Sequence, residues 1–124
     1  MTAEWGYAVR DLAASQDFDD EVKRATAALA ADRCSNPHCR ALTSGPTNDR
    51  RKSLTVGVTA PISAVLPAGP RYDATMSEAE RHDQANAIWL CYTCARKVNS
   101  DVAGYPADLL RSWKKAEVRT PHAV

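Results

Sequence analysis

The chain is short of large side chains: of 124 residues one is Phe and two are Met, and aromatics make up only 6%. A core built from so little is modest for one domain of this size, and it gains from a covalent or metal staple. No stretch approaches the roughly 18 consecutive apolar residues of a membrane helix. The start, MTAEWGYAVRDLAAS, lacks the basic-then-apolar plan of a secretory signal. These two absences argue against membrane insertion and secretion, and a cytoplasmic protein is expected. There is no internal repeat and no low-complexity tract. Neither sign of charge dominates, since 16 Lys and Arg face 15 Asp and Glu for a net +1. Bulk charge therefore names no partner. Its distribution is uneven, however: residues 1–33 carry seven acids and four bases, and residues 34–124 carry eight acids and twelve bases. The basic part is the cysteine-containing part, which suits either a phosphate-facing surface or scattered solvated charge.

What is present alternates helices with turn-rich loops. DFDDEVKRATAALAADR reads as an amphipathic helix, with Asp19, Asp20 and Glu21 in its first turn and Val22, Ala25, Ala28 and Leu29 on one face. It delivers the chain to Cys34. The segment CSNPHCRALTSGPTNDRRK leads to a strand over 53–58, and a Pro/Gly loop, LPAGPRYDATM, follows. Val56, Val58 and Ile62 favour a strand, Gly57 weakens it, and Pro61 cannot donate to a ladder, so the strand is expected to stop there. Ser77 and Glu80 form a capping box opening a second helix to about Ala85. AIWLC is a buried segment that closes on a second cysteine pair. Pro106 begins a last helix with Leu109, Leu110, Trp113 and Ala116 as its inner face. Helices outnumber strands, which makes the class α+β.

Cys34-x4-Cys39 and Cys91-x2-Cys94 are two close pairs separated by 51 residues. Each pair forms a tight knuckle able to present two thiolates, and zinc accepts four sulfurs in a tetrahedron without geometric penalty. The competing readings are two disulfides, disfavoured by the expected compartment, and a redox Cys-x-x-Cys, disfavoured by the lack of a βαβ context. A closed four-thiolate site leaves no open coordination position, so such a zinc ion holds the fold and does no chemistry. His38 lies inside the first knuckle and could replace a cysteine as a ligand, but with four cysteines available an exposed turn residue is expected.

A first knuckle, a strand, a Gly-Pro loop, an Asn and a second knuckle opening a helix is an order of parts that resembles the zinc-knuckled HNH endonucleases. The stretches RCSNPHCRALTSGP, VGVTAPISA, GPRYDATMSEAERHDQANAIWLC and YPADLLRSWKKAE look like a bacterial HNH-like subgroup found alone or fused to other domains in defence systems. The likeness implies an N-terminal extension and helix over 1–31, an HNH-like zinc domain with a ββα-metal core over 32–118, and a mobile tail over 119–124. In that family the first strand ends in Ala-His-Ile, and the His is the general base that activates water. Here the stretch is Ala60-Pro61-Ile62, and Pro61 has no titratable group. The family's Asn, which orients the base and its loop, matches Asn86. Its metal-binding His after the second knuckle is matched by Ala95. The subgroup's Ile-Asp-x-Asp is matched by Val98-Asn99-Ser100-Asp101, which keeps one carboxylate, and an amide is a poor ligand for a hard cation.

The residual catalytic material is thus Asn86, His82 and Asp101. His82 lies a turn from Asn86 on the second helix; His122 lies in the tail. The resemblance implies a pseudonuclease that binds nucleic acid, or a nuclease or defence complex, without cutting. Two alternatives stand beside it. One is an active DNA endonuclease with a relocated base and a divalent cation such as magnesium; the other is a phage or mobile-element inhibitor acting through protein contacts. Expected phosphate contacts are Arg50, Arg51, Lys52, Arg71, Arg96 and Lys97. The last two follow from the likeness, because ββα nucleases lay that helix against the minor groove. Trp89, Tyr105 and Trp113 read as core.

Overall fold

The computed structural model describes residues 18–119, and their side chains to residue 116. The start containing Trp5 and Tyr7, and residues 120–124 with His122, lie outside the described residues.

Helix α1 (Asp20–Leu29) opens on Asp19, whose Oδ1 accepts the Val22 N–H at 2.9 Å, and the acids Asp20 and Glu21 face the positive end of the helix. Its buried face is not the one expected. Phe18, Thr26 and Ala30 are buried with Val22 half-buried between them, whereas Ala28 and Leu29 are exposed. Thr26 tolerates the interior because its hydroxyl donates to the Val22 carbonyl at 2.6 Å. Two successive residues with left-handed backbone, Ala31 (φ 53°) and Asp32 (φ 57°), then turn the chain toward the first knuckle.

The single strand expected over 53–58 is two strands with different partners. β1 (Ser44–Pro46) pairs antiparallel with β2 (Ser53–Thr55), and β3 (Gly57–Pro61) pairs antiparallel with β4 (Ala87–Cys91). Val56 is the junction: its N–H donates to the Thr43 carbonyl at 2.7 Å, and its own carbonyl accepts from the Tyr92 N–H at 3.0 Å. β3 runs past Val58 and ends at Pro61, as expected, with Pro61 as its last rung, opposite Ala87. Ile62 adds one further bond, to the Asn86 carbonyl at 2.8 Å. Bonds at Val56 and Ile62 put the ladder donors on alternate residues, so Pro61 occupies a rung where the missing N–H removes no bond. Gly57 is required by packing, since a Cβ there would lie 2.2 Å from Trp89 Cζ2.

Helix α2 (Glu78–Arg81) starts on the expected reciprocal cap, Glu80 N–H to Ser77 Oγ at 3.1 Å and Ser77 N–H to Glu80 Oε1 at 2.7 Å. It is shorter than expected. Asp83 accepts from the Ala85 N–H and starts a separate 3₁₀ turn, Gln84–Asn86, which enters β4. Strand β4 runs directly into α3 (Tyr92–Ser100), and α4 (Ala107–Arg119) closes the unit. Every residue of β4 is buried because the hairpin is covered on both faces, as a continuous apolar run requires. Helix α1 packs on one face. On the other, Ala60, Ile62, Ile88 and Leu90 form the core with Val98, Leu110 and Trp113. Trp113 meets Tyr105 edge to face at 5.9 Å between ring centres. Ala116 is exposed, so the inner face of α4 is Leu110 and Trp113 with Leu109 at its margin. No helix among the described residues is long and apolar enough to cross a membrane.

Candidate metal centre and the end of strand β3

The first knuckle is closed by the Cys34 N–H to the Ala41 carbonyl at 2.9 Å, and it is tied to β4 by the Ser35 N–H to the Trp89 carbonyl at 2.9 Å. That second bond brings Cys34 beside Cys91 despite their separation in sequence. Inside the turn, Asn36 accepts the His38 N–H on Oδ1 at 3.0 Å, and its Nδ2 donates to Cys94 Sγ at 3.5 Å. The second knuckle is the start of α3: Cys91 caps the helix, and its sulfur accepts the Cys94 N–H at 3.4 Å.

All four Sγ atoms lie within 4.8 Å of one another, with Cys39 and Cys91 at 4.0 Å. Four sulfurs at roughly 2.3 Å from a zinc ion are about 3.8 Å apart, so the cluster needs little contraction to close on a metal. Burial pushes the Cys34 and Cys94 thiols above their ordinary range, whereas a hydrogen bond from the Ala41 backbone draws Cys39 down. Buried thiolates need a cation to offset their desolvation, and a divalent metal supplies it. His38 is exposed and stands outside the set. Spacing alone picked out the clustered cysteines but not Asn36; the Asn-Pro step within CSNPHC is the signal that a turn side chain is available to the sulfurs.

The residues expected around the end of β3 are each held by the backbone. Asn86, 4% exposed, accepts the Ser63 N–H on Oδ1 at 2.9 Å and donates from Nδ2 to the Ser63 and Arg81 carbonyls, both at 2.9 Å. All its side-chain hydrogen bonds clasp the loop after Pro61 to the end of α2, a positioning role. His82 Nδ1 lies 2.9 Å from the Glu78 carbonyl on its own helix; since a carbonyl only accepts, Nδ1 is the donor in that contact. Asp101 ends α3 and accepts the Gly104 N–H on Oδ1 at 3.1 Å, closing the turn toward α4. Among the described residues, the four cysteines are the cluster of His, Cys, Asp and Glu able to hold a metal.

The six cations expected at phosphate separate into two kinds. Arg71 corrects the expectation: it is half-buried, and its Nε donates to the Ile62 carbonyl at 2.7 Å. Its Nη1 donates to the Val98 and Tyr105 carbonyls at 2.8 and 3.4 Å, and its Nη2 to Asn99 Oδ1 at 2.9 Å. It rivets the end of β3 to α3 and to the turn before α4, and desolvation lowers its pKa. Asn99, expected as a lost metal ligand, is thus an acceptor for Arg71. Arg96 and Lys97 are exposed on α3, away from the buried Cys94 and Val98. Arg50, Arg51 and Lys52 are exposed at the β1–β2 turn, where Arg51 Nε pairs with Asp49 Oδ1 at 3.3 Å. Trp89 and Trp113 are buried; Trp89 Nε1 donates to Thr43 Oγ1 at 2.9 Å.

No protein-family model matches the chain, and no match to it was found among curated proteins.

Proposed function

We propose that this chain is a zinc-stapled, HNH-like module that binds nucleic acid without cutting it, working in the cytoplasm. The observation that carries the reading is the antiparallel β3–β4 hairpin, which runs through Cys91 straight into α3 and ends at Pro61 beside the Asn86–Ser63 clasp. In the HNH endonucleases that this chain resembles, the residue at that strand end is the base. Proline has no proton acceptor on its side chain, and Asn86 and Asp101 are engaged by backbone amides, so the water-activating pair is missing. General-base catalysis is worth on the order of 10²- to 10⁴-fold, and without it a cleavage activity falls below detection. Arg96 and Lys97, exposed on the helix that follows the hairpin, supply the phosphate-facing charge.

The test is supercoiled DNA with magnesium, manganese or nickel, for the unmodified protein and for Pro61→His. The expected result is retarded but uncut DNA with the unmodified protein, and retardation weakened by Arg96→Glu with Lys97→Glu. One observation favours a second reading: the contact of His82 with the Glu78 carbonyl is made by Nδ1, so Nε2 stands outside it. Cleavage by the unmodified protein that disappears in His82→Ala would establish that alternative and overturn the first.

A further inference from the structure

A groove of about 730 Å³ opens between α1 and the two β ribbons, and none of the four cysteines lines it. Buried Trp89 and Gly57 line its floor, and its rim carries the cations Lys23 and Arg24 with the exposed apolar side chains of Leu54 and Tyr92. Thr59 also lines it, 4% exposed and with a buried hydroxyl that has no hydrogen-bond partner. The one carboxylate in the lining is Asp32, and neither Lys23 nor Arg24 forms an ion pair among the described residues. The size is that of a small-ligand site, and the chemistry is that of an amphiphilic anion: a flat apolar body with a negative group. Tyr92 stands four residues before Arg96 on α3, so the two are neighbours on one helix face. The mouth of the groove therefore continues onto the surface that carries the phosphate-facing charge.

We propose that this groove takes one unpaired nucleotide of a single strand, the base against Tyr92 and Leu54 and the adjoining phosphates at Lys23, Arg24 and Arg96. The inference rests on the nucleic-acid reading and narrows it, since a paired base inside a duplex cannot enter. An aromatic platform beside backbone-tracking cations is how strands are held without sequence preference. The experiment uses the full chain and fluorescence anisotropy, with a labelled 12-nucleotide single strand and the same sequence as duplex, over a range of salt. The strand is expected to bind about tenfold more tightly than the duplex. Tyr92→Ala weakens strand binding about tenfold and leaves duplex binding unchanged. Lys23→Glu with Arg24→Glu weakens it further and lowers the salt slope by about 1.4. These variants keep the thermal midpoint of the unmodified protein. Equal binding of strand and duplex, or strand binding lost in Arg96→Glu with Lys97→Glu but unmoved by the groove variants, overturns the groove and leaves the proposed function standing. Thymidine monophosphate binding more tightly than the strand would make the occupant a free nucleotide and overturn the strand. Absence of binding to every probe overturns both proposals.

Discussion

At the scale of single residues, Arg71 carries its charge into half-buried surroundings where the acceptors it meets, three carbonyls and an amide oxygen, are all neutral. Its backbone is left-handed as well, at φ 58°, a conformation that costs a residue with a Cβ. The site keeps both because Arg71 satisfies carbonyls from three separate segments. Arg71→Ala is expected to cost roughly 3 kcal/mol, read from urea unfolding, since those acceptors lose their donors together. Asn99→Asp is expected to do the reverse, gaining on the order of 1 kcal/mol by placing a carboxylate against the guanidinium, and to leave DNA uncut even beside Pro61→His. A thermal midpoint lowered by Asn99→Asp would contradict the assignment of Asn99 to Arg71. None of this was legible in GPRYD, which shows only a cation after a turn; the carbonyls that it meets come from residues nine to thirty-four positions away.

At the scale of elements, a pattern was readable wherever one residue acts on its near neighbours. The Ser77–Glu80 cap and the acidic first turn of α1 are local chemistry, and both are present, although Asp19 is the cap that opens α1 and not a residue of its first turn. The errors fall where the partner is distant. Ser53–Val58 looks like one strand because its residues favour extension, but its first half pairs with β1 and its second half with β4. Likewise α1 turns Thr26 inward because the hairpin sits on that side, and an apolar count cannot weigh a threonine that satisfies its own hydroxyl. Gly57 reads as a weak point in a strand, yet the Trp89 ring occupies the space of its missing side chain. Gly57→Ala is expected to displace that indole, break its bond to Thr43 and cost about 2–3 kcal/mol, visible as a shifted tryptophan emission and an earlier unfolding midpoint. Gly45→Ala, where a Cβ would meet nothing within 4 Å, is the control.

At the scale of the whole molecule, cysteine spacing alone was enough to pick out the four sulfurs that the fold gathers within 4.8 Å of one another, because a thiolate metal site demands four sulfurs together wherever the chain has to bring them. Metal analysis is expected to return about one zinc per chain, and Cys91→Ser is expected to unfold or aggregate the protein, since ligand binding here is folding free energy. Protons would compete with a bound zinc ion for the sulfurs, so metal-derived stability is expected at neutral pH and its loss is expected as pH falls; a zinc-release titration with a chromogenic chelator checks the sign. Intact metal-free protein with a sharp melting transition would refute the staple. The two knuckles stand on either side of 51 residues, including the exposed β1–β2 turn with its Arg50, Arg51 and Lys52. With zinc on the four sulfurs, a trypsin nick in that turn should cut the polymer but not the molecule: Cys34 and Cys39 would stay on one fragment, Cys91 and Cys94 on the other, with the ion as the clasp between them. The nicked protein should therefore travel as one species on a native sizing column and separate into two peptides when a chelator is added, making its wholeness a property of coordination instead of chain continuity.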